Sequence, residues 1–444
     1  MIDKTPPPNA EGTPIRPPIL FLIVDCLRAD RAFAEVKLAP DRYLGRLARR
    51  GYLFTTAVTV APTTTPAVAT MLTGLYPFEH GLRGLLGFAR PADVRTVAAA
   101  LREAGYWTEA DVAGPLVPQL RLFDEFDEYR WVHWREASLH GPRGERIAGR
   151  VRELQEAGQP WFLVVHLWEL HEPRQVPAGF HGPALSRTVY DRALAALDAR
   201  LSEVFPDDLL TDAVVCLIGD HGENLRFEPR GKVGKGFANL LWWRPTRRLA
   251  QPIARRLIRY GAHSDSKRLL RLAPRALITH GHHLLEPLLR VPFVLAGPGV
   301  PHGSSDALVS HTDLAPTFCQ LAGTWFQGGV GADGLRFDGS VDADRRVFLE
   351  TAWLTPIPGV HQIGLRTPRW KYMELADGGG GAALFDLETD PRESRNVITR
   401  YPDLARELRE ELRAALAAAR IGERMTDESS ALVERRLADL GYVS

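Results

Sequence analysis

Three short apolar runs mark the chain: "ILFLIV" from Ile19, "WFLVV" from Trp161 and "AVVCLIG" from Ala213. A membrane span needs about 20 residues, so runs this short that end near Asp or His read as buried parallel strands. Between them, apolar residues recur at helical spacing in "DRYLGRLARRG", "VRTVAAALREAG" and "VYDRALAALDARLSEVF". This alternation, from Ile19 to about Gly323, predicts an α/β fold: a mostly parallel central sheet flanked by helices. In such sheets chemistry gathers just beyond the C-terminal ends of strands. Asp25 follows the first run, His166 and His171 lie in and after the second, and Asp220 with His221 follows the third.

Two segments leave this pattern. From Arg345 to about Asp390, "RRVFLETAWL", "HQIGLRTPRWKYMEL" and "AALFDLETDP" predict a small antiparallel sheet with a loop at Gly378 to Gly381. The helix "YPDLARELREELRAALAAAR" and a terminal "LVERRLADLGYVS" close the chain. The expected units are a flexible segment 1–17, a catalytic α/β domain 18–340 carrying a basic insertion 224–279, and a C-terminal subdomain 341–444 with its terminal helices.

Charge matters only in that insertion. The whole chain has a formal charge of +1, yet Asn224 to Thr279 holds fourteen Lys and Arg against two acidic residues, Glu228 and Asp265. The rest is therefore net acidic, and no nucleic-acid partner is expected. Leu249, Ile253, Leu257 and Tyr260 recur at helical spacing among arginines, with "LLWW" just before. A basic amphipathic helix of this kind suits an anionic membrane surface or partner, and a solvated lid helix suits it equally. The N-terminal "MIDKTPPPNAEGTPIRPP" is proline-rich and lacks the basic start and apolar core of a secretory signal. The three cysteines, Cys26, Cys216 and Cys319, form no CxxC pair and read as buried thiols in a reducing compartment. A cytoplasmic location is expected, peripheral to a membrane if the insertion binds one.

A hard divalent cation wants carboxylates and imidazole converging from separate loops. One Asp after a strand is more often a helix cap; two such strand ends, with the adjacent pair Asp220-His221, point to a metal. The stretch "APTTTPAVATMLTG" sets threonines before a proline at the start of a helix. Taken alone it reads as a Thr N-cap, but a cation beside it would activate a hydroxyl that is otherwise a weak nucleophile.

In order along the chain, "ILFLIVDCLRAD", "TTPAVATMLTGLYPFEHGL", "LWELHEPR", "IGDHGE", "HGHHLLEPLLRVPFVLAGPGV", "VSHTDLAPTFCQLAG" and "ALFDLETDPRESRNV" resemble the sulfatase branch of the alkaline phosphatase superfamily. The resemblance implies an alkaline phosphatase-like fold. That family's Cys/Ser-x-Pro-x-Arg signature precedes a Leu-Thr-Gly turn; anchoring on Pro66 and Leu72-Thr73-Gly74 puts Thr64 at the formylglycine position and Val68 at the arginine. Thr63 and Thr65 are then turn formers. The family's Lys-x-His contact is replaced by "DVAGPLVPQ". Threonine at that position resembles the superfamily's phosphodiesterases and phosphotransferases, and implies a covalent phosphothreonine.

By the same resemblance Asp25, Thr64, Asp220 and His221 hold one divalent ion (Mn, Zn, Ca or Mg), and a second would draw on Glu169, His171, His280 and His282. His171 sits near the leaving group as donor or general acid, and His280 contacts the substrate oxyanion, with His282 close enough to share in binding. Cys26 replaces a carboxylate ligand, and Arg28 is a structural partner. The remaining histidines read as structural: His166 as a hydrogen-bonded core residue, His311 as a helix start, His80 behind the nucleophile helix, and His133, His140 and His263 as exposed. The expected activity is hydrolysis or transfer of small anionic phosphoric esters, a phosphodiester or phosphonate ester. The alternatives are sulfuric ester hydrolysis using Thr64 directly, and a catalytically silent, membrane-associated or partner-binding chain.

Overall fold

The computed structural model describes residues 16–85, 87–174, 176–181, 188–225, 280–281, 283–326, 334–338, 340, 342–352, 361–378 and 381–439. Its strands are β1 (Ile19–Val24), β2 (Gly51–Val58), β3 (Phe88–Ala89), β4 (Trp107–Ala113), β5 (Glu128–Val132), β6 (Trp161–Leu167), β7 (Val214–Gly219), β8 (Arg290–Ala296), β9 (Gly303–Ser305) and β10 (Val309–Ser310). A C-terminal set follows: β11 (Val347–Glu350), β12 (Gln362–Arg366), β13 (Trp370–Leu375), β14 (Ala383–Asp386) and β15 (Glu423–Arg424).

The three apolar runs become β1, β6 and β7 at the centre of the main sheet, whose order is β10-β2-β8-β7-β1-β6-β4-β5, with β9 also against β2. Every residue of these three strands is buried. Continuous apolar sequence is needed because both faces are covered. Ile19, Phe21 and Ile23 pack with the helices Thr64–Thr73, Val97–Glu103 and Leu314–Leu321. Leu20, Leu22 and Val24 point the other way, onto the helices Tyr43–Arg50, Pro142–Glu156 and Val189–Val204.

β1 pairs in parallel with both β6 and β7. β8 is the exception in this region, running antiparallel to β7 and β2. The reason is local: the chain re-enters beside the end of β7, where Gly222 N–H donates to Leu288 O at 2.8 Å. A strand that starts there runs back along its neighbour, whereas a parallel one would need a crossover to the far end.

The predicted C-terminal sheet forms as β11-β12-β13-β14, entirely antiparallel, with the helix Pro402–Leu416 against it. β3 and β15 form a two-stranded ribbon. All three cysteines are free and buried, as expected. No described helix is long and apolar enough to cross a membrane. From residue 226 to 279 the basic insertion, with its expected amphipathic helix and His263, lies outside the described residues, as does His282.

Candidate active site

Strand register builds the site. Val24 pairs with Leu167 on one side and Gly219 on the other. Asp25 and Asp220 therefore leave adjacent strands side by side, and His166 comes level with Ile23. Asp25 N–H donates to Leu167 O at 2.9 Å, which holds the first carboxylate at the sheet edge.

The helix Thr64–Thr73 faces this edge, and all ten of its residues are buried. Pro66 falls in its first turn, where the missing N–H has no helical partner to lose. At its end Gly74 adopts φ 66°, and its N–H donates to Thr70 O. Thr64 opens the helix, and its Oγ1 stands 3.2 Å from Asp25 Oδ2 and 3.3 Å from His221 Nε2. Of its neighbours, Thr63 occupies the N-cap position but its side chain makes no cap bond. Thr65 lies inside the helix and not in a turn, because the helix begins one residue earlier. Val68 is fully buried in the core.

His221 Nδ1 is 2.8 Å from Gly222 O. A carbonyl only accepts, so Nδ1 carries the proton and, in the neutral ring, Nε2 presents its lone pair to Thr64. One hydroxyl proton thus meets two acceptors. Further acceptors crowd the same space: Asp25 Oδ1 and Asp220 Oδ2 are buried with no hydrogen-bond partner among the described residues. Burial pushes the Asp25 carboxyl up, but His166, His171 and His221 more than offset it and hold it well below the usual range. Burial and the neighbouring Asp25 charge push Asp220 the other way. A surplus of buried acceptors without protons fits a bound cation, and Asp25, His166 and Asp220 offer ligand atoms within 4.8 Å of one another. Asp25, Cys26 and His221 form a second such group.

His166 therefore departs from its expected role. It is buried, but its ring nitrogens make no hydrogen bond among the described residues, and Nε2 stands 3.5 Å from Asp25 Oδ2. Its place on β6, level with the end of β1, makes it part of the cluster. The other structural histidines are nearer expectation. His80 Nε2 lies 3.2 Å from Thr70 Oγ1, behind the Thr64 helix. His311 starts a short helix and meets Gly219 O at 3.0 Å, bracing the end of β7. His140 is exposed, and His133 is half-buried because it stacks near Trp131 and Trp134.

His171 and His280 come together, with ring centroids 5.2 Å apart, and His280 lies 4.4 Å from the His221 ring. Trp168 stacks on His171 at 4.0 Å. Gly114, in the stretch that replaces the Lys-x-His contact, is needed for this: a Cβ there would sit 2.2 Å from the Trp168 ring. His171 Nδ1 lies 2.6 Å from Glu172 O, and burial pulls the ring down to about 4. Glu169 is buried and receives Leu139 N–H at 2.6 Å, so one oxygen serves the fold.

Two further residues enter that the sequence reading passed over. Glu223 ends the "IGDHGE" motif; its Oε2 is 3.3 Å from His280 Nδ1 and 3.6 Å from Cys26 Sγ. Burial raises its carboxyl, but His280 and Arg174 reverse the shift to about 2. Arg174, in "LWELHEPR", pairs with Glu172, lies 3.7 Å from Glu223 and stacks over Tyr190. The acidic and basic ends of those motifs were the available signal. Arg28 acts as expected, donating to Glu223 O at 2.7 Å.

The sulfatase family profile matches residues 17–324. The chain belongs to the sulfatase family. Mouse (Mus musculus) arylsulfatase K is 30% identical over 141 residues, which is 30% of this chain and 26% of that protein. The match thus spans about a quarter of the length of that relative. Over nearly whole chains the likeness is one of fold. The phosphonate monoester hydrolase of Agrobacterium radiobacter superposes with TM-score 0.61 at 17% identity, covering 90% of this chain and 96% of that one. An alkaline phosphatase superfamily protein from Vibrio parahaemolyticus does so with TM-score 0.58 at 14% identity, covering 97% and 89%. The sulfatase-family fold thus accounts for the sheet edge on which these side chains meet.

Proposed function

We infer that this sulfatase-family chain is a metal-dependent hydrolase or transferase of phosphoric esters, acting on a phosphodiester or phosphonate ester with Thr64 as nucleophile. The observation that carries the reading is Thr64 Oγ1, held 3.2 Å from Asp25 Oδ2 and 3.3 Å from His221 Nε2 in a buried, acceptor-rich pocket. Asp25, Thr64, Asp220 and His221 are the assigned ligands of a divalent ion, which when bound lowers the hydroxyl pKa and polarises the ester.

The side chains divide the remaining work. Asp25 and His221 orient the Thr64 hydroxyl, whose proton passes to solvent as Oγ attacks phosphorus. The new P–Oγ bond replaces the bond to the leaving alcohol, whose oxygen takes a proton from His280, where Glu223 outweighs burial and raises the ring's pKa, with His171 beside it. Water, or an acceptor alcohol, then attacks the phosphothreonine, breaks the P–Oγ bond and restores the hydroxyl. The low-dielectric site strengthens each of these contacts.

A second reading, sulfuric ester hydrolysis with Thr64 attacking sulfur, is favoured by the likeness to arylsulfatase K. Against it stands Val68, an apolar core residue at the position aligned with the family's arginine. Turnover of aryl phosphodiesters, phosphonate esters and aryl sulfates with Mn, Zn, Ca or Mg decides between them. Phosphorus esters are expected to be cleaved faster, and turnover of sulfates alone overturns the first reading.

A further inference from the structure

The threonine before Thr64 has a hydroxyl that the fold leaves unused. An N-cap side chain ordinarily accepts from the N–H of the second or third helical residue. Counted from the N-cap Thr63, the third helical residue is Pro66, which has no N–H to give, and the second, Thr65, makes no bond to the Thr63 side chain. The order Thr-Thr-Thr-Pro thus frees the Thr63 hydroxyl from capping. Thr63 is 2% exposed, and its Oγ1 has no hydrogen-bond partner among the described residues. Buried polar atoms are nearly always paired, so a hydroxyl kept in this state points to a ligand.

Its position is on the side of the site. A Cβ on Gly281 would lie 3.2 Å from Thr63 Oγ1, so this oxygen stands between the start of the Thr64 helix and the segment that carries His280. The His280 ring lies 4.4 Å from that of His221, whose Nε2 is 3.3 Å from Thr64 Oγ1. Gly281 has φ 88°, and its missing side chain leaves room beside the hydroxyl. The N–H groups of Thr64 and Thr65 open the same ten-residue helix. In the first turn they have no acceptor within the helix, and the positive end of the helix favours an anion there.

We propose that Thr63 is a substrate contact: its Oγ–H donates to a non-bridging oxygen of the group transferred to Thr64, alongside the N–H groups of Thr64 and Thr65. This role rests on the reading of Thr64 as nucleophile. It also answers a shortage of donors. An anionic ester needs them, yet Asp25, Asp220 and His221 Nε2 present acceptors, and Val68 lies in the core at the position aligned with the family's arginine. Arg174 is already engaged with Glu172 and lies 3.7 Å from Glu223. The Thr63 hydroxyl gives up no proton; its hydrogen bond strengthens as charge shifts among the oxygens on phosphorus in the transition state.

The test titrates full-length protein with inorganic phosphate in Mg²⁺ buffer, by calorimetry, beside ester kinetics. Thr63→Val keeps the shape and removes the hydroxyl. It should weaken phosphate binding by about 10-fold or more and lower kcat on the best ester by about 100-fold. Thr63→Ser restores the hydroxyl and should keep both near wild type, and Thr63→Ala carries the same test if Thr63→Val fails to fold. Far-UV circular dichroism and Mg²⁺ affinity should be unchanged in all three. Wild-type phosphate affinity in Thr63→Val, an equal loss in Thr63→Ser, a matching loss of Mg²⁺ affinity, or no phosphate binding by the wild-type protein overturns the proposal. Phosphate affinity lost in Thr63→Val, with no phosphorus ester turned over by the wild-type protein, would uphold the anion contact and count against Thr64 as nucleophile.

Discussion

Two buried polar clusters in this molecule follow opposite rules. In the C-terminal sheet Lys371 is fully buried, and it pairs with Glu286 at 3.1 Å and with Glu393. Arg366 reaches Glu286 at 3.2 Å, and Glu393 also accepts the Glu286 N–H. Two cations thus meet two carboxylates, and the cluster closes on itself. At the edge of the main sheet, no lysine or arginine pairs with Asp25 or Asp220 among the described residues; Asp25 Oδ1 and Asp220 Oδ2 have no hydrogen-bond partner there, and the imidazoles of His166 and His221 stand near these carboxylates, at 3.5 and 3.4 Å. Burying charge without a counter-charge is costly. The closed cluster therefore serves the fold, whereas the open one is arranged for a charge supplied from outside.

The comparison breaks most sharply at Thr64. Thr64→Ala should lower kcat on the best ester by about 10⁴-fold, with the thermal transition little changed; wild-type kcat in that variant would remove Thr64 from the chemistry. Lys371→Met should do the reverse. It strands Glu286 and Glu393, so urea unfolding should show a loss of about 3–5 kcal/mol, while turnover per folded molecule stays constant. Activity falling faster than the folded fraction would mean that the two clusters are coupled.

Metal linkage sharpens the contrast. A hundred-fold excess of Mn²⁺ over its Kd should stabilise the wild-type protein by about 2.7 kcal/mol, and Asp220→Asn should abolish that gain. The metal-free variant should be no less stable than wild type, because one of two repelling carboxylates is gone. A large loss on chelation in both proteins would contradict it.

The smallest effect concerns His80, a closed contact behind the Thr64 helix. Burial pulls its ring down to about 3, against an ordinary value of 6.5. Below 6.5 the unfolded chain binds the proton and the folded one resists it, so stability falls as pH drops from 6.5 toward 3. Between pH 6.5 and 4.5 this histidine should account for about 2 kcal/mol of the loss. In urea titrations His80→Gln should flatten the slope by that amount, and an unchanged slope would assign acid lability elsewhere.

Much of this was legible from local pattern. Continuous apolar runs gave β1, β6 and β7 because burial on both faces leaves no polar alternation, and the spacing from Pro66 to Leu72-Thr73-Gly74 singled out Thr64 from its neighbours. His166 was not legible. Within "WFLVVHL" it looks like any core histidine, and only the register of β6 against β1 sets it beside Asp25. Glu223 and Arg174 were hidden for a related reason, since a charged residue at the end of a motif looks solvated until the loops pack. Cys26 counted as a lost carboxylate while Glu223 and His280 were out of view.

The sequence by itself determined the elements, the family and the roster of strand-end acids, because periodicity and motif spacing are properties of neighbours along the chain. Which of those groups share one pocket was decided only by the tertiary structure. Parallel pairing sets Asp25 and Asp220 side by side, and the segment entering β8 carries His280 back to Cys26, a residue far removed in sequence. Charge and unmatched lone pairs belong to that convergence, and chain order does not contain it.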